Sequence, residues 1–312
     1  MKDQMGRTID YLRLSVTDLC NYRCRYCMEA CGVPKLRHED ILSIEELAEI
    51  GRAAVRCGVT KIRLTGGEPL VRRGLPELCR LLRPLDGLRE LTVTTNGSLL
   101  PKLAGPLRDA GVDRLNISLD TLREDRYAAM TRLGGLGDVL RGLEAAKAAG
   151  FTGTKLNTVL IGGFNTDEIP DLVALSRDFD VRFIELMPMG VCADWPKGRF
   201  VPAEAVLEAV PSLRPVGQDG VAETYRLPGA GGTVGLIRPM SHSFCAACRR
   251  IRVTADGKLK PCLHAPEEIP LRGLSGAALE DAIRAATLRK PLRHHLAEDG
   301  SASARGMNEI GG

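Results

Sequence analysis

Leu12-Arg13-Leu14-Ser15-Val16-Thr17-Asp18-Leu19-Cys20-Asn21-Tyr22-Arg23-Cys24-Arg25-Tyr26-Cys27 is an alternating strand that runs into three thiols. Leu12, Leu14 and Val16 point one way, and Arg13, Ser15 and Thr17 the other, which is the two-residue period of a strand. Thiolates this close together are soft ligands, suited to zinc, copper(I) or iron–sulfur clusters. A closed zinc site wants four ligands, and a protein-saturated four-iron cluster wants one cysteine per iron. Cys20, Cys24 and Cys27 on such a cluster leave one iron open to a reactant. The same trio also reads as a zinc site completed by a distant ligand such as His38, or as part of a disulfide framework.

The alternation continues along the chain. Strands are expected at residues 12–17, 61–65, 91–94, 115–120, 155–160 and 182–187, and helices at 43–57, 75–82, 99–110, 136–149 and 167–178. Ser43 followed by Glu46 is a capping box. Gly58, Gly111 and Gly150 sit where helix C-terminal glycines belong. Six βα steps imply a parallel sheet with right-handed crossovers.

Parallel strands covered on both faces should be apolar throughout. Here every strand keeps a polar face: Arg63 and Thr65, Thr92 and Thr94, Asn116 and Ser118, Lys155 and Asn157, Glu185 and Met187. Helices pack on the apolar side, so the polar side faces inward. A filled eight-stranded barrel has an apolar lumen. A polar lumen in an incomplete six-stranded barrel is open to large ligands. The second strand ends in Thr65-Gly66-Gly67-Glu68-Pro69, where glycines permit close backbone approach.

Beyond residue 187 the alternation stops. Residues 188–228 read as a connector with one short helix near 203–210. Then comes Phe244-Cys245-Ala246-Ala247-Cys248-Arg249-Arg250-Ile251-Arg252, and after it Asp256-Gly257 and Cys262. Asp-Gly signals a two-residue hairpin. That turn sets Cys262 opposite Ile251 and makes a second trio of Cys245, Cys248 and Cys262. Zinc with His242 or His264 is its other reading. Cys31, Cys57, Cys79 and Cys192 are expected to pack or sit free.

The chain has 312 residues, 44% hydrophobic and 26% charged, with net charge +4. That balance suits a globular protein and is too mild to indicate nucleic acid. No run is long enough to span a membrane. Ten cysteines behind an N-terminus without a signal-peptide core point to a reducing, cytoplasmic setting. Two parts are expected: 1–190, a barrel core, and 191–312, a region carrying the second trio.

The Cys20, Cys24, Cys27 spacing, with Tyr26 before the last cysteine, resembles the cluster motif of radical S-adenosylmethionine (SAM) enzymes. The two trios together narrow the likeness, as do Arg63-Leu-Thr-Gly-Gly-Glu-Pro-Leu70, Asn116-Ile-Ser-Leu-Asp120, Arg182-Phe-Ile-Glu185 and the ending Met307-Asn-Glu-Ile-Gly-Gly312. Together they resemble the GTP 3',8-cyclase family of molybdenum cofactor biosynthesis over nearly the whole chain. One departure is Met28-Glu29-Ala30-Cys31, where the family commonly continues Met-Pro.

The resemblance implies a partial (β/α)6 barrel, two [4Fe-4S] clusters on the two trios, and SAM on the open iron of the first. It implies SAM contacts at Tyr26, Gly67, Ser118 and Met187. It implies GTP contacts at Arg13, Thr94, Arg63, Lys155, Arg250, Ile251 and Arg252, and a catalytic part for Arg13, Arg250, Arg252 and the inserted tail Gly311-Gly312. The implied reaction takes the C3' hydrogen of GTP with a 5'-deoxyadenosyl radical and joins C3' to C8 of guanine. Implied partners are an electron donor such as flavodoxin or ferredoxin, a downstream cyclic pyranopterin synthase, and a second copy in a homodimer.

The residues agree independently with a nucleotide. No G-x-x-x-x-G-K-[ST] loop is present, so phosphate must be met by side chains. Arg13, Arg63 and Lys155 project into the lumen, and Arg250 and Arg252 follow the second trio. A lumen arginine could instead pair with Glu185 or Asp120. The rival readings are another radical SAM enzyme with an auxiliary cluster, for instance one acting on a peptide, and a non-catalytic iron–sulfur carrier. A carrier has no use for a polar lumen or five converging cations.

Overall fold

The computed structural model describes residues 1–34 and 36–311. The first two thirds alternate as the periodicity predicts. The order is β1 (Tyr11–Ser15), α1 (Ile44–Arg56), β2 (Lys61–Thr65), α2 (Leu75–Leu82), β3 (Glu90–Thr95), α3 (Leu100–Asp109) and β4 (Arg114–Ser118). Then come α4 (Glu124–Thr131), α5 (Leu136–Ala148), β5 (Lys155–Leu160), α6 (Ile169–Ala174) and β6 (Asp180–Glu185). The C-terminal third adds α7 (Ala205–Ala209), β7 (Arg214–Asp219), β8 (Ala222–Arg226), β9 (Val234–Ile237), β10 (Arg250–Val253), β11 (Lys258–Lys260) and β12 (Ile269–Pro270). It ends with α8 (Gly276–Leu288), α9 (Leu296–Asp299) and α10 (Met307–Ile310).

Local chemistry sets the helix ends. The Ser43 hydroxyl accepts from Glu46 N at 3.1 Å, and the Glu46 carboxylate accepts from Ser43 N at 2.7 Å. This capping box satisfies two donors that the first turn of α1 leaves over. Gly58 leaves α1 at φ +98°, a conformation that costs a side-chain-bearing residue about 1–2 kcal/mol. The apolar strand faces (Leu12, Leu14, Ile62, Leu64, Leu91, Val93, Leu115, Ile117) join Leu47, Ile50, Leu75 and Leu78 of the helices in one core. Each such side chain is worth about 1.5–3 kcal/mol when fully buried.

β1 to β6 are parallel neighbours in chain order, as the six βα steps require. The C-terminal region extends the sheet at both ends. β10 adds parallel to β1, and β9 adds parallel to β6. β10 therefore brings the second trio beside the strand that feeds the first.

Three local expectations are corrected. Residues 188–228 are not a plain connector, because β7 and β8 form an antiparallel hairpin there. β7 is exposed along its whole length, so it carries no alternation to read. The expected helix at 167–178 is a short α6 flanked by 3-10 turns, with Pro170 at its start. The Asp256-Gly257 turn holds three residues, not two. Gly257 alone takes positive φ (+82°), and its N–H reaches Thr254 O at 3.0 Å. A two-residue type I′ turn needs both central residues at positive φ, whereas a type I turn needs one glycine after it. The extra residue moves the register by one, pairing Arg252 with Lys260, so that Cys262 comes level with Arg250 and not Ile251.

Candidate active site

β1 delivers the chain into the first cysteine loop. Inside that loop Cys27 N and Met28 N both donate to Cys24 O, at 2.9 and 3.1 Å, and wind the backbone into a tight turn. Its back is held by α4, a helix the sequence reading missed. Arg23 N and Arg25 N donate to Thr131 O and Met130 O, and the Arg132 guanidinium donates to Arg23 O and Met28 O. α4 buries only Tyr127, Met130 and Thr131, too few positions to show a helical stripe.

All ten cysteines are free thiols, which removes the disulfide reading. Among the described residues, no three His, Cys, Asp or Glu side chains converge to hold a single metal ion. A zinc ion needs its sulfurs about 2.3 Å from one centre, whereas a cubane spreads them over separate irons. His38 and His242 are exposed, and His264 is buried edge-on to His294 with ring centres 4.9 Å apart. Both trios therefore fit a cluster better than zinc.

The trios differ in electrostatics. Burial pushes the Cys20 thiol up to about 11 and the Cys27 thiol to about 12. At the second trio burial acts in the same direction and is outweighed. Arg250 and Lys290 bring Cys248 down to about 6, and hydrogen bonds from His294 and Ser243 bring Cys245 to about 7. The Lys290 ammonium also donates to Arg250 O (2.8 Å) and Pro261 O (2.7 Å), tying β10 to the segment before Cys262.

The glycine loop after β2 lies against the first cysteine loop. A Cβ on Gly67 would meet Leu19 O at 2.4 Å and Asp18 O at 2.7 Å, so no larger residue fits. Gly67 N and Glu68 N donate to Thr17 O and Leu19 O. The buried Glu68 carboxylate accepts from Thr95 Oγ1 (2.7 Å), Asn96 N (2.7 Å) and Leu70 N (3.0 Å). Replacing Glu68 by Ala strands three donors and should cost about 3 kcal/mol or more of stability, measured by chemical unfolding. Burial also raises this carboxyl to about 7 from its ordinary 4.5. Between those pH values the unfolded chain holds fewer protons than the folded one, so stability falls as pH rises. Glu68→Gln should remove that slope from a plot of unfolding midpoint against pH.

A cavity of about 870 Å³ runs through the barrel. One end carries Tyr26, Ser118, Asp120 and Met187, and the other Cys245, Cys248 and Cys262. Between them the parallel ladders set Arg252, Arg13 and Arg63 level on three adjacent strands. Like charges directly across neighbouring strands repel. Burial, then the Arg252 charge, brings Arg13 down to about 9, and burial first also brings Arg63 to about 9 and Arg252 to about 10. Arg63, Arg250 and Arg252 have no carboxylate partner among the described residues. Glu185 and Asp120 do not neutralise them. Glu185 accepts from Ala203 N, Met240 N and Ser241 N, and Asp120 from Val159 N and the Tyr26 hydroxyl. Thr94 Oγ1 and Asn157 Oδ1 belong to cavity-lining residues and are buried without a hydrogen-bond partner among the described residues, as groups that serve a polar ligand are.

Lys155 is turned to Asp219 and Asp180, at the start of β5. The Ile251 side chain packs in the core beside Leu12, so only its backbone remains for a ligand. Arg182 and Tyr11 line the cavity and were missed. Arg182 was read as a strand residue, but it shares a face with the cavity-lining Ile184. The buried Tyr11 hydroxyl has no hydrogen-bond partner among the described residues and lies among Arg63, Arg13 and Lys61.

The tail folds inward as far as it is described. The Asn308 backbone lies beside the Cys27 thiol, Ile310 is fully buried, and Gly311 lies at φ +76° against Thr65 and Ser15. Gly312 lies outside the described residues. A Cβ on Gly311 would come 2.2 Å from Thr65 Oγ1. Gly311→Ala should therefore expel the tail, making it sensitive to carboxypeptidase while iron content stays the same.

Residues 14–175 match the Radical SAM superfamily model, and residues 179–296 match the Molybdenum Cofactor Synthesis C model. Among solved structures, SuiB of Streptococcus suis bound to S-adenosylmethionine has the same fold, with TM-score 0.65 and 16% identity over 91% of this chain and 67% of that one. Native anSMEcpe with bound AdoMet gives 0.61 and 16% identity, over 91% of this chain and 82% of that one. The barrel, the first trio and the glycine loop are those of a radical SAM enzyme. The GTP 3',8-cyclase of Alkaliphilus oremlandii is 45% identical over the full length of both chains, and that of Peptoclostridium acidaminophilum 50% identical over 99% of this chain and 98% of its own. The chain belongs to the GTP 3',8-cyclase family.

Proposed function

We propose that this chain converts GTP to its 3',8-cyclic dihydro form in molybdenum cofactor biosynthesis, with the triphosphate held on the arginine row. The observation that carries this is Arg252, Arg13 and Arg63 standing level inside one cavity that is lined by the second cysteine trio and by Tyr26, the neighbour of Cys27 in the first. Such a row is costly alone and favourable around a polyanion, to which guanidinium groups give charge-assisted hydrogen bonds.

The clusters and SAM, when bound, supply the electron and the carbon radical that start the reaction. Cys20, Cys24 and Cys27 hold the first cluster, and Cys245, Cys248 and Cys262 the second. The protein's own part is placement. Tyr26, Gly67, Ser118 and Met187 make the SAM end. Arg13, Arg63, Thr94, Lys155 and the Arg250–Ile251–Arg252 segment make the GTP site, to which Arg182 and Asn157 are added here. The enclosing barrel and the inserted tail keep water from reactive carbon. C3' and C8 belong to one GTP molecule, so the rigid cavity contributes by holding ribose and base in the conformation that brings the two atoms together.

The division at 190/191 assigns the SAM chemistry to the core and second-cluster binding to the remainder. A flavodoxin or ferredoxin as electron donor, a cyclic pyranopterin synthase as recipient of the product, a cytoplasmic setting and a homodimer rest on the family resemblance. No helix among the described residues is long and apolar enough to cross a membrane. The test is anaerobic incubation of cluster-loaded protein with GTP, SAM and reductant. Mass analysis should show a product isomeric with GTP together with 5'-deoxyadenosine. Formation of 5'-deoxyadenosine with no change in GTP would refute the reading.

A further inference from the structure

The hairpin of β7 and β8 turns at Gly220-Val221, directly after Asp219, with Gly220 at φ +64°. Gln218, Asp219, Gly220 and Val221 line the same cavity as the arginine row. One oxygen of Asp219, Oδ2, accepts from Arg182 Nη2 at 2.5 Å and also from Lys155 Nζ. A single anionic oxygen shared by two cations is the contact that a phosphate oxygen makes. Lys155 and Arg182 belong to neighbouring barrel strands, β5 and β6, whereas Asp219 comes from outside the barrel.

We propose that Asp219 is a stand-in for substrate phosphate, a carboxylate that occupies Lys155 and Arg182 until the triphosphate displaces it. This rests on the GTP reading above. Moving the tip is inexpensive. β7 is exposed at every residue and is an edge strand whose sheet neighbour is β8, with an irregularity between Pro215 and Gly217. Edges with so few buried contacts open at low free energy. Half of the Asp219 side chain is already exposed, so its carboxylate re-enters water easily. Lys155 keeps Asp180, 3.9 Å away, when Asp219 leaves. The arrangement also explains an asymmetry among the cations in and beside the cavity. Among the described residues Arg63, Arg250 and Arg252 have no carboxylate partner, while Arg182 and Lys155 have one from the exposed hairpin. In place, Asp219 adds a negative charge where the triphosphate must come. Binding is then weakened by the fraction of molecules still latched.

The test is anaerobic titration of cluster-loaded protein with GTP and, separately, guanosine. Asp219→Asn keeps the shape and removes the charge. It should bind GTP about tenfold more tightly, the gain expected if about nine molecules in ten are latched. Its guanosine affinity should not change. Asp219→Glu keeps the competing carboxylate and should stay near the parent protein. Without ligand, Asp219→Asn should melt at a lower temperature, because Arg182 loses its carboxylate and Lys155 keeps only the more distant Asp180, and GTP should raise its melting point more than it raises the parent's. Unchanged or weaker GTP binding by Asp219→Asn overturns the proposal; weaker binding would mean that the carboxylate serves the bound complex, for instance by holding its metal ion. If the parent protein binds guanosine as well as GTP, the phosphate reading itself fails, and this inference with it.

Discussion

Replacing Cys24 by Ala should halve the iron of the anaerobically reconstituted protein, from about eight atoms per chain to about four, and end SAM cleavage altogether. Cys20 and Cys27 should behave alike, since each trio is the whole of what the protein offers its cluster. Replacing Cys245, Cys248 or Cys262 should halve the iron equally but leave SAM cleavage running, with no cyclic product. The pairing of equal iron loss with opposite effects on 5'-deoxyadenosine separates the two sites. Stoichiometric zinc, with iron limited to one cluster, would sink the two-cluster reading.

Arg63→Leu should weaken GTP binding about 10- to 100-fold, the worth of one or two lost charge-assisted hydrogen bonds. Arg252→Leu should do the same, and neither should change guanosine affinity. The same substitutions should raise the melting temperature of the ligand-free protein by a few degrees. Each removes a buried cation that stands level with Arg13 and has no carboxylate partner among the described residues. Opposite signs in the two measurements distinguish a row kept for a ligand from one kept for the fold. Loss of both stability and binding would assign these arginines to structure.

The chain's local patterns determined a great deal. The two-residue alternation in β1 to β5 told which side chains enter the lumen, because successive side chains on a strand must point to opposite faces. It placed Arg13, Arg63 and Thr94 correctly at the cavity. The capping box at Ser43 and the glycines at 58, 111 and 150 marked helix ends, since caps are satisfied within a few residues. The cysteine spacings were legible for the same reason. Each trio is brought together by a loop or a hairpin, with no distant element required.

Tertiary structure alone decided which charges meet. Arg252 stands beside Arg13 only because β10 pairs with β1 across more than two hundred residues, and nothing near either residue records that pairing. Arg182 became a cavity residue, and Lys155 found Asp219, by the same long-range closure. α4 escaped notice because its work is done by backbone carbonyls at Met130 and Thr131, which hold the first cysteine loop whatever side chains surround them. β7 escaped because a fully exposed strand buries nothing and so leaves no period, although its tip carries the carboxylate that reaches into the site. Periodicity reports burial, one residue against its neighbours. The register of distant strands is set by how the whole sheet closes.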